Sequence, residues 1–124
     1  MANELILIVE DNEKNLKLVR DTLSYRGYRT IEATTGEEGI RLAQRERPAL
    51  ILMDIQLPGI DGITALGRLR ADPVTRPIPV IAVTASVMTE DRQKIMAAGF
   101  DGYQGKPISV KELLATIQQV LSRA

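Results

Sequence analysis

A chain of 124 residues with no cysteine and no histidine has to do its chemistry with carboxylates, hydroxyls, lysines and backbone. Five such residues follow apolar or mixed runs of strand length. Glu10 and Asp11 follow Leu5–Val9, Asp54 follows Leu50–Met53, Thr84 follows Val80–Val83, and Lys106 comes just after the short run Phe100–Gln104. The missing residue types exclude disulfides, thiol chemistry, imidazole acid–base work and zinc sites with the usual ligands. What remains is a hard-oxygen donor set, which suits Mg²⁺. If Glu10, Asp11 and Asp54 converge, they repel. Two unit charges ~4 Å apart cost about 4 kcal/mol at an effective dielectric near 20, so the cluster calls for a cation. A carboxylate nucleophile, a cation, a lysine and a hydroxyl together meet the needs of an acyl phosphate. The positive groups neutralise the equatorial oxygens of an in-line transfer. Taken singly, each residue has a plainer reading. Asp54 could start a turn, the Glu10–Asp11 pair could be a solvated loop, Thr84 could cap a turn and Lys106 could be a surface lysine.

Convergence depends on the elements that carry these residues. Leu5–Val9 reads as a buried strand. Asn12 can cap a helix running to about Tyr25–Arg26, with Leu16, Val19 and Leu23 on one side and Gly27 to stop it. Arg29–Ala33 is a mixed strand. Thr35 and Glu38 form a capping box for a helix to about Glu46, which Pro48 ends; Ile40, Leu42 and Ala43 face the core and arginines line the outer side. Leu50–Asp54 is a second buried strand, closed by Pro58-Gly59. Asp61 caps a helix to Arg70 with Ile63, Leu66 and Leu69 as its stripe, and a proline-stiffened connection follows. Val80–Val83 is the third buried strand, and a helix opened by Thr89-Glu90-Asp91 ends near Gly99. Phe100–Gln104 is a second mixed strand. Ser109 and Glu112 form another capping box, and Val110, Leu113, Leu114, Ile117, Val120 and Leu121 make the clearest helical stripe.

Strict β-α alternation predicts a parallel sheet with helices on both faces. The solidly apolar strands belong inside and the mixed ones at the edges, which fits order 2-1-3-4-5 of the doubly wound α/β folds. In that topology all five polar residues face one crevice beyond the strand ends. The length suits one domain with its own core, and the hydrophobic content of 44% argues against disorder. Lys+Arg and Asp+Glu are both 16, for a net charge of +0, which gives no support to nucleic-acid or membrane-surface binding. The start lacks a basic segment, and Leu5–Val9 is too short for a signal peptide or a membrane span, so a cytoplasmic protein is the expectation.

Ile-Val-Glu10-Asp11-Asn12, Leu-Met-Asp54-Ile-Gln-Leu-Pro58-Gly59-Ile-Asp61-Gly62, Val-Thr84-Ala85 and Gly-Tyr103-Gln-Gly-Lys106-Pro107 resemble, in order and spacing, the signature blocks of response-regulator receiver domains. The likeness covers nearly the whole chain and implies a flavodoxin-like (βα)5 sandwich. It implies that Asp54 accepts a phosphoryl group from a histidine kinase or a histidine phosphotransfer protein. It further implies that Glu10, Asp11, Asp54 and the backbone carbonyl of Gln56 arrange Mg²⁺, Glu10 through water, and that Thr84 and Lys106 bind phosphoryl oxygens. Tyr103 matches the family's switch aromatic, and Lys106–Pro107 a peptide bond that is often cis. Gln56 and Ser86 occupy positions thought to tune phosphoryl lifetime. Glu10 departs mildly from the pattern, since many receivers carry Asp-Asp there.

The resemblance implies a switch that reshapes the face built by the fourth helix, fifth strand and fifth helix for a downstream protein partner. It also implies a single receiver unit over residues 1–124 with no output domain, although a receiver excised from a hybrid kinase would look the same. Two other functions use similar parts. A haloacid-dehalogenase-like phosphatase also has an Asp nucleophile at a strand end, but its acid/base Asp would fall at Gln56. A flavodoxin-like electron carrier needs a phosphate-cradling loop after the first strand, where this chain has acids, and aromatics are only 3% of residues.

Overall fold

The computed structural model describes residues 3–85 and 89–123, the side chain of Thr89 excepted. Its elements alternate as β1 (Leu5–Val9), α1 (Glu13–Tyr25), β2 (Arg29–Ala33), α2 (Gly36–Glu46), β3 (Leu50–Asp54), α3 (Gly62–Ala71), β4 (Val80–Thr84), α4 (Thr89–Ala97), β5 (Gly102–Gly105) and α5 (Val110–Arg123). The sheet is parallel throughout, in order β2-β1-β3-β4-β5. Residue type explains that order. Every residue of β3 and β4 is buried, whereas β2 is buried only at Ala33. A strand covered by helices on both faces has no room for Arg29 or Glu32, so the mixed strand takes an edge.

Period-two alternation splits the core into two layers. Ile6, Ile8, Leu50, Leu52, Ile81 and Val83 pack against α1 and α5. Leu7, Val9, Ile51, Met53, Val80 and Ala82 pack against α2, α3 and α4. Leu16, Val19 and Leu23 of α1 are buried as expected, as are Leu113, Leu114, Ile117 and Val120 of α5. Val110 lies in the first turn of α5, at the rim of the layer, and is exposed. In α2 only Ala43 of the three expected core residues is fully buried. Ile40 and Leu42 are half-buried against the second layer.

The helix starts are made by the residues that the sequence singles out. Asn12 Oδ1 accepts from the Asn15 amide at 3.1 Å, Thr35 Oγ1 from Glu38 at 3.1 Å and Asp61 Oδ1 from Thr64 at 2.8 Å. Glu38 returns to the amide of Thr34 at 3.0 Å, one residue earlier than the usual capping box. α2 ends at Glu46, as expected, but its cap takes a form that the sequence did not single out. Arg47 itself adopts the left-handed region, with φ 47°, and its amide bonds to the Ala43 carbonyl. The following Pro48 cannot donate, so the chain must turn one residue before it. β5 also starts later than expected, at Gly102. The Asp101 carboxylate accepts the Val80 amide at 2.8 Å, so a side chain takes up the ladder donor at that point.

Gly62 fixes where α3 starts relative to β3. Its amide donates to the Ile55 carbonyl at 3.0 Å. A Cβ at this position would lie 2.6 Å from the Asp54 carbonyl oxygen and 2.8 Å from the Ile55 Cα, both backbone atoms that cannot swing aside. Gly62→Ala should therefore cost about 1–3 kcal/mol, the usual range for an overpacked site. The check is a lower urea midpoint at unchanged slope; an unmoved midpoint would show that the β3–α3 junction yields freely.

Candidate functional site

Sheet register places the polar residues. Val9 pairs with Met53, so Glu10 and Asp54 stand side by side one residue on. Asp54 pairs with Val83, and Thr84 with Gly105, the residue before Lys106. Backbone bonds carry the sheet slightly past its strands: the Glu10 amide donates to Ala33 O at 3.0 Å, Ile55 to Val83 O at 2.9 Å and Lys106 to Thr84 O at 2.8 Å. The side chains thus leave a fixed backbone. Glu10, Asp54 and Thr84 retain only 4%, 3% and 2% of their accessible surface, an unusual fate for two carboxylates.

Lys106 makes that burial tolerable. Its Nζ lies 3.0 Å from Glu10 Oε1 and 3.0 Å from Asp54 Oδ2. The other oxygens are used as well: Asp54 Oδ1 accepts the Gln56 amide at 3.0 Å, and Glu10 Oε2 accepts the Asn12 amide at 3.2 Å. Asp11 stays exposed at the rim, and carboxylate oxygens of Glu10, Asp11 and Asp54 lie within 4.8 Å of one another. The three acids form a cluster able to coordinate a divalent cation. One ammonium against three carboxylates leaves a local excess of negative charge. Burial, followed by the hydrogen bond with Asp54 and its negative charge, raises the Glu10 pKa to about 7, with Lys106 and the Asn12 amide opposing. Burial pulls the Lys106 ammonium down, but its bonds to Asp54 and Glu10 outweigh that and raise it overall, so it stays charged.

Tyr103 stands apart from this cluster. It lies half-buried on β5, beside Ala82, and packs on the α2–α3–α4 side of the sheet. The Arg92 guanidinium of α4 sits 5.1 Å from its ring centroid, a cation–π contact that the sequence did not suggest. Gln104 was also missed. It is 3% exposed, and its Nε2 donates to the Gly105 carbonyl at 3.2 Å. Its signal lay in the alternation of β5, where Gly102 and Gln104 are buried and Tyr103 and Gly105 are not. Gln56 is exposed in the β3–α3 loop. The Lys106–Pro107 bond is cis. Ser86 lies outside the described residues.

Residues 6–118 match the family described as the response regulator receiver domain. This chain belongs to that family. Among curated relatives, the polar-differentiation response regulator DivK of Brucella anthropi is 47% identical over 119 residues, covering 96% of this chain and 97% of its own. DivK of Brucella ovis is 46% identical over the same length. Among solved structures, the receiver domain of sensor histidine kinase PA1611 from Pseudomonas aeruginosa, with a magnesium ion coordinated in its active-site cleft, superposes with TM-score 0.89 at 36% identity; the match covers 97% of this chain and 98% of that one. The chemotaxis response regulator CheY4 of Vibrio cholerae gives TM-score 0.89 at 28% identity, covering 95% and 98%. The receiver is a phospho-accepting switch whose only catalysis is its own phosphorylation and dephosphorylation. Receivers of this family work with histidine kinases or phosphotransfer proteins and with downstream targets. The phosphatase and electron-carrier readings fall with this assignment. Among the described residues no helix is long and apolar enough to cross a membrane.

The Glu10 shift has a consequence for stability in the absence of divalent cations. The folded state keeps the Glu10 proton up to about pH 7, whereas the unfolded chain loses it near 4.5, the ordinary value for a glutamate. Between these values the folded state binds more protons, so this group's contribution to stability falls as pH rises through that window and levels off above it. Glu10→Gln should flatten that part of the profile. Calorimetric melting in chelator across the window checks it, and an unaltered slope in the variant would remove Glu10 as the cause.

Proposed function

We propose that Asp54 is the phosphoacceptor and that Lys106 is the charge that follows the phosphoryl group. The supporting observation is the 3.0 Å bridge from Lys106 Nζ to both Glu10 and Asp54, within a trio of carboxylates. The donor phosphohistidine would sit on a kinase or a histidine phosphotransfer protein. An Asp54 carboxylate oxygen attacks phosphorus in line, an O–P bond forms, the P–N bond breaks, and the imidazole nitrogen leaves with the electron pair. Lys106 then exchanges its carboxylate contact for a phosphoryl oxygen, and the Thr84 hydroxyl, at the end of the neighbouring strand, donates to another.

The donor set of Glu10, Asp11 and Asp54 fits Mg²⁺, with the Gln56 backbone carbonyl as a further ligand and Glu10 acting through water. The magnesium site of the PA1611 receiver supports this choice of ion. When bound, Mg²⁺ supplies the compact positive charge that phosphoryl oxygens need. Glu10 has to give up its proton for this role, and Asp11 at the rim adds the negative charge nearest to solvent.

The output follows from Thr84. β4 and β5 are paired at Thr84–Gly105 and Ala82–Tyr103, so a pull on Thr84 reaches the strand that carries Tyr103. Tyr103 would turn inward and leave Arg92, reshaping the α4–β5–α5 face for a protein partner. A receiver unit over residues 1–124 acting in the cytoplasm, without direct contact to nucleic acid or membrane, is the setting we propose. Kinship with DivK over 97% of that relative's length supports it.

Acetyl phosphate with Mg²⁺ should modify the wild type and leave Asp54→Asn unmodified in intact-mass spectra; equal labelling of both would remove the central claim. Lys106→Ala should still take up Mg²⁺ while losing most of the backbone chemical-shift change that follows phosphorylation. A full response in that variant would contradict the role given to Lys106.

A further inference from the structure

At the opposite pole of the sheet, away from Asp54, lies a second concavity of about 300 Å³. It opens between the end of α3, the connection over 72–79, the starts of β4 and β5, and the last turn of α5. Three arginines line it, and they are not equivalent. Arg70 is consumed by the fold: its Nη1 donates to the carbonyls of Arg76 at 3.0 Å and Ile78 at 2.7 Å, and its Nη2 to the Asp101 carboxylate at 2.8 Å. Asp101 is the one acid in the lining, and Arg70 together with the Val80 amide takes its Oδ2. Arg76 is anchored differently. Its Nε donates to the Arg70 carbonyl at 2.9 Å, and its terminal nitrogens make no hydrogen bond or ion pair among the described residues. Arg123, from α5, likewise has no ion pair there.

Two positive charges are therefore left over in one concavity of a chain whose net charge is +0. The excess is local and does not reflect a generally basic surface. A guanidinium held by its Nε keeps its two terminal amino groups as a ready fork for a phosphate. Pro77, Ile78 and Pro79 give the same concavity a stiff, partly apolar wall. Its volume is at the lower end for small-molecule sites, too little for an extended acidic segment to lie in.

We propose that this pocket binds a small organic phosphate of the nucleotide class, with Arg76 and Arg123 on the phosphate and the proline-flanked wall against the organic part. The site is distinct from the acidic crevice and does not require Asp54 to be phosphorylated. Its ligand would tie the 72–79 connection to the end of α5, next to the Arg70–Asp101 pair that holds α3 to the start of β5.

The test is a titration of the isotope-labelled full chain with ADP, followed by amide chemical shifts, with inorganic phosphate and sodium chloride at matched ionic strength as companions. Saturable shifts confined to the amides of residues 76, 78, 99, 101 and 123 are expected, equally in Asp54→Asn. The double variant Arg76→Ala/Arg123→Ala should bind ADP about ten- to a hundredfold more weakly, the loss of charge-assisted hydrogen bonds. Labelling of Asp54 by acetyl phosphate should persist in it, which shows that the variant is folded and keeps this outcome separate from the fate of the phosphoacceptor assignment. Unchanged ADP affinity in the double variant would overturn the proposal, as would shifts that chloride reproduces. Inorganic phosphate binding as tightly as ADP would overturn the assignment to an organic phosphate.

Discussion

One partly buried ammonium shared by two buried carboxylates is the constraint on which this molecule turns. Lys106 sits 3.0 Å from both Glu10 and Asp54, and those acids keep almost none of their surface in water. Charges buried this deeply are tolerated only when paired and hydrogen-bonded. The pairing here is incomplete: Asp11 adds a third carboxylate at the rim, and burial together with Asp54 makes Glu10 hold its proton up to about pH 7. A site with excess negative charge is poised to accept a cation, because the cation relieves a repulsion already present.

The sheet makes this possible by being dull elsewhere. β1, β3 and β4 bring apolar side chains to both faces, so the three central strands end at a common level and deliver their first polar residues together. Gly62 then lets α3 start against the Asp54 backbone, where any side chain would push the β3–α3 loop away. At the other pole, Arg70 binds two carbonyls and Asp101, fastening α3 to the connection that follows it and to the start of β5. One pole is thus fastened by Arg70, while the other holds three carboxylates around a single lysine.

The α4–β5 region differs from the rest in how little apolar burial holds it. Among the described residues, Ile95 is the buried side chain of α4, and Met96 is exposed. Arg92 contributes instead a cation–π contact to Tyr103, an interaction worth about 0.5–1 kcal/mol at exposed sites. An element held by such small terms can be displaced at low cost in free energy. Low local stability is what a switching surface requires.

Much of this was legible in the residues alone. Alternation of strands and helices, the apolar character of three strands against two mixed ones, and capping residues at Asn12, Thr35 and Asp61 determine the topology, because each follows from burial or from local hydrogen bonding. The convergence of Glu10, Asp11 and Asp54 was legible too, because each follows a buried strand that ends at the same edge of the sheet. Local pattern could not say which polar groups meet. That Lys106 spans Glu10 and Asp54, that Arg92 covers Tyr103, that Asp101 rather than backbone completes the start of β4, and that Gly62 abuts Asp54 are contacts between segments distant in the chain. They depend on register, helix placement and side-chain reach to within an ångström or so, and only the assembled tertiary structure decides those.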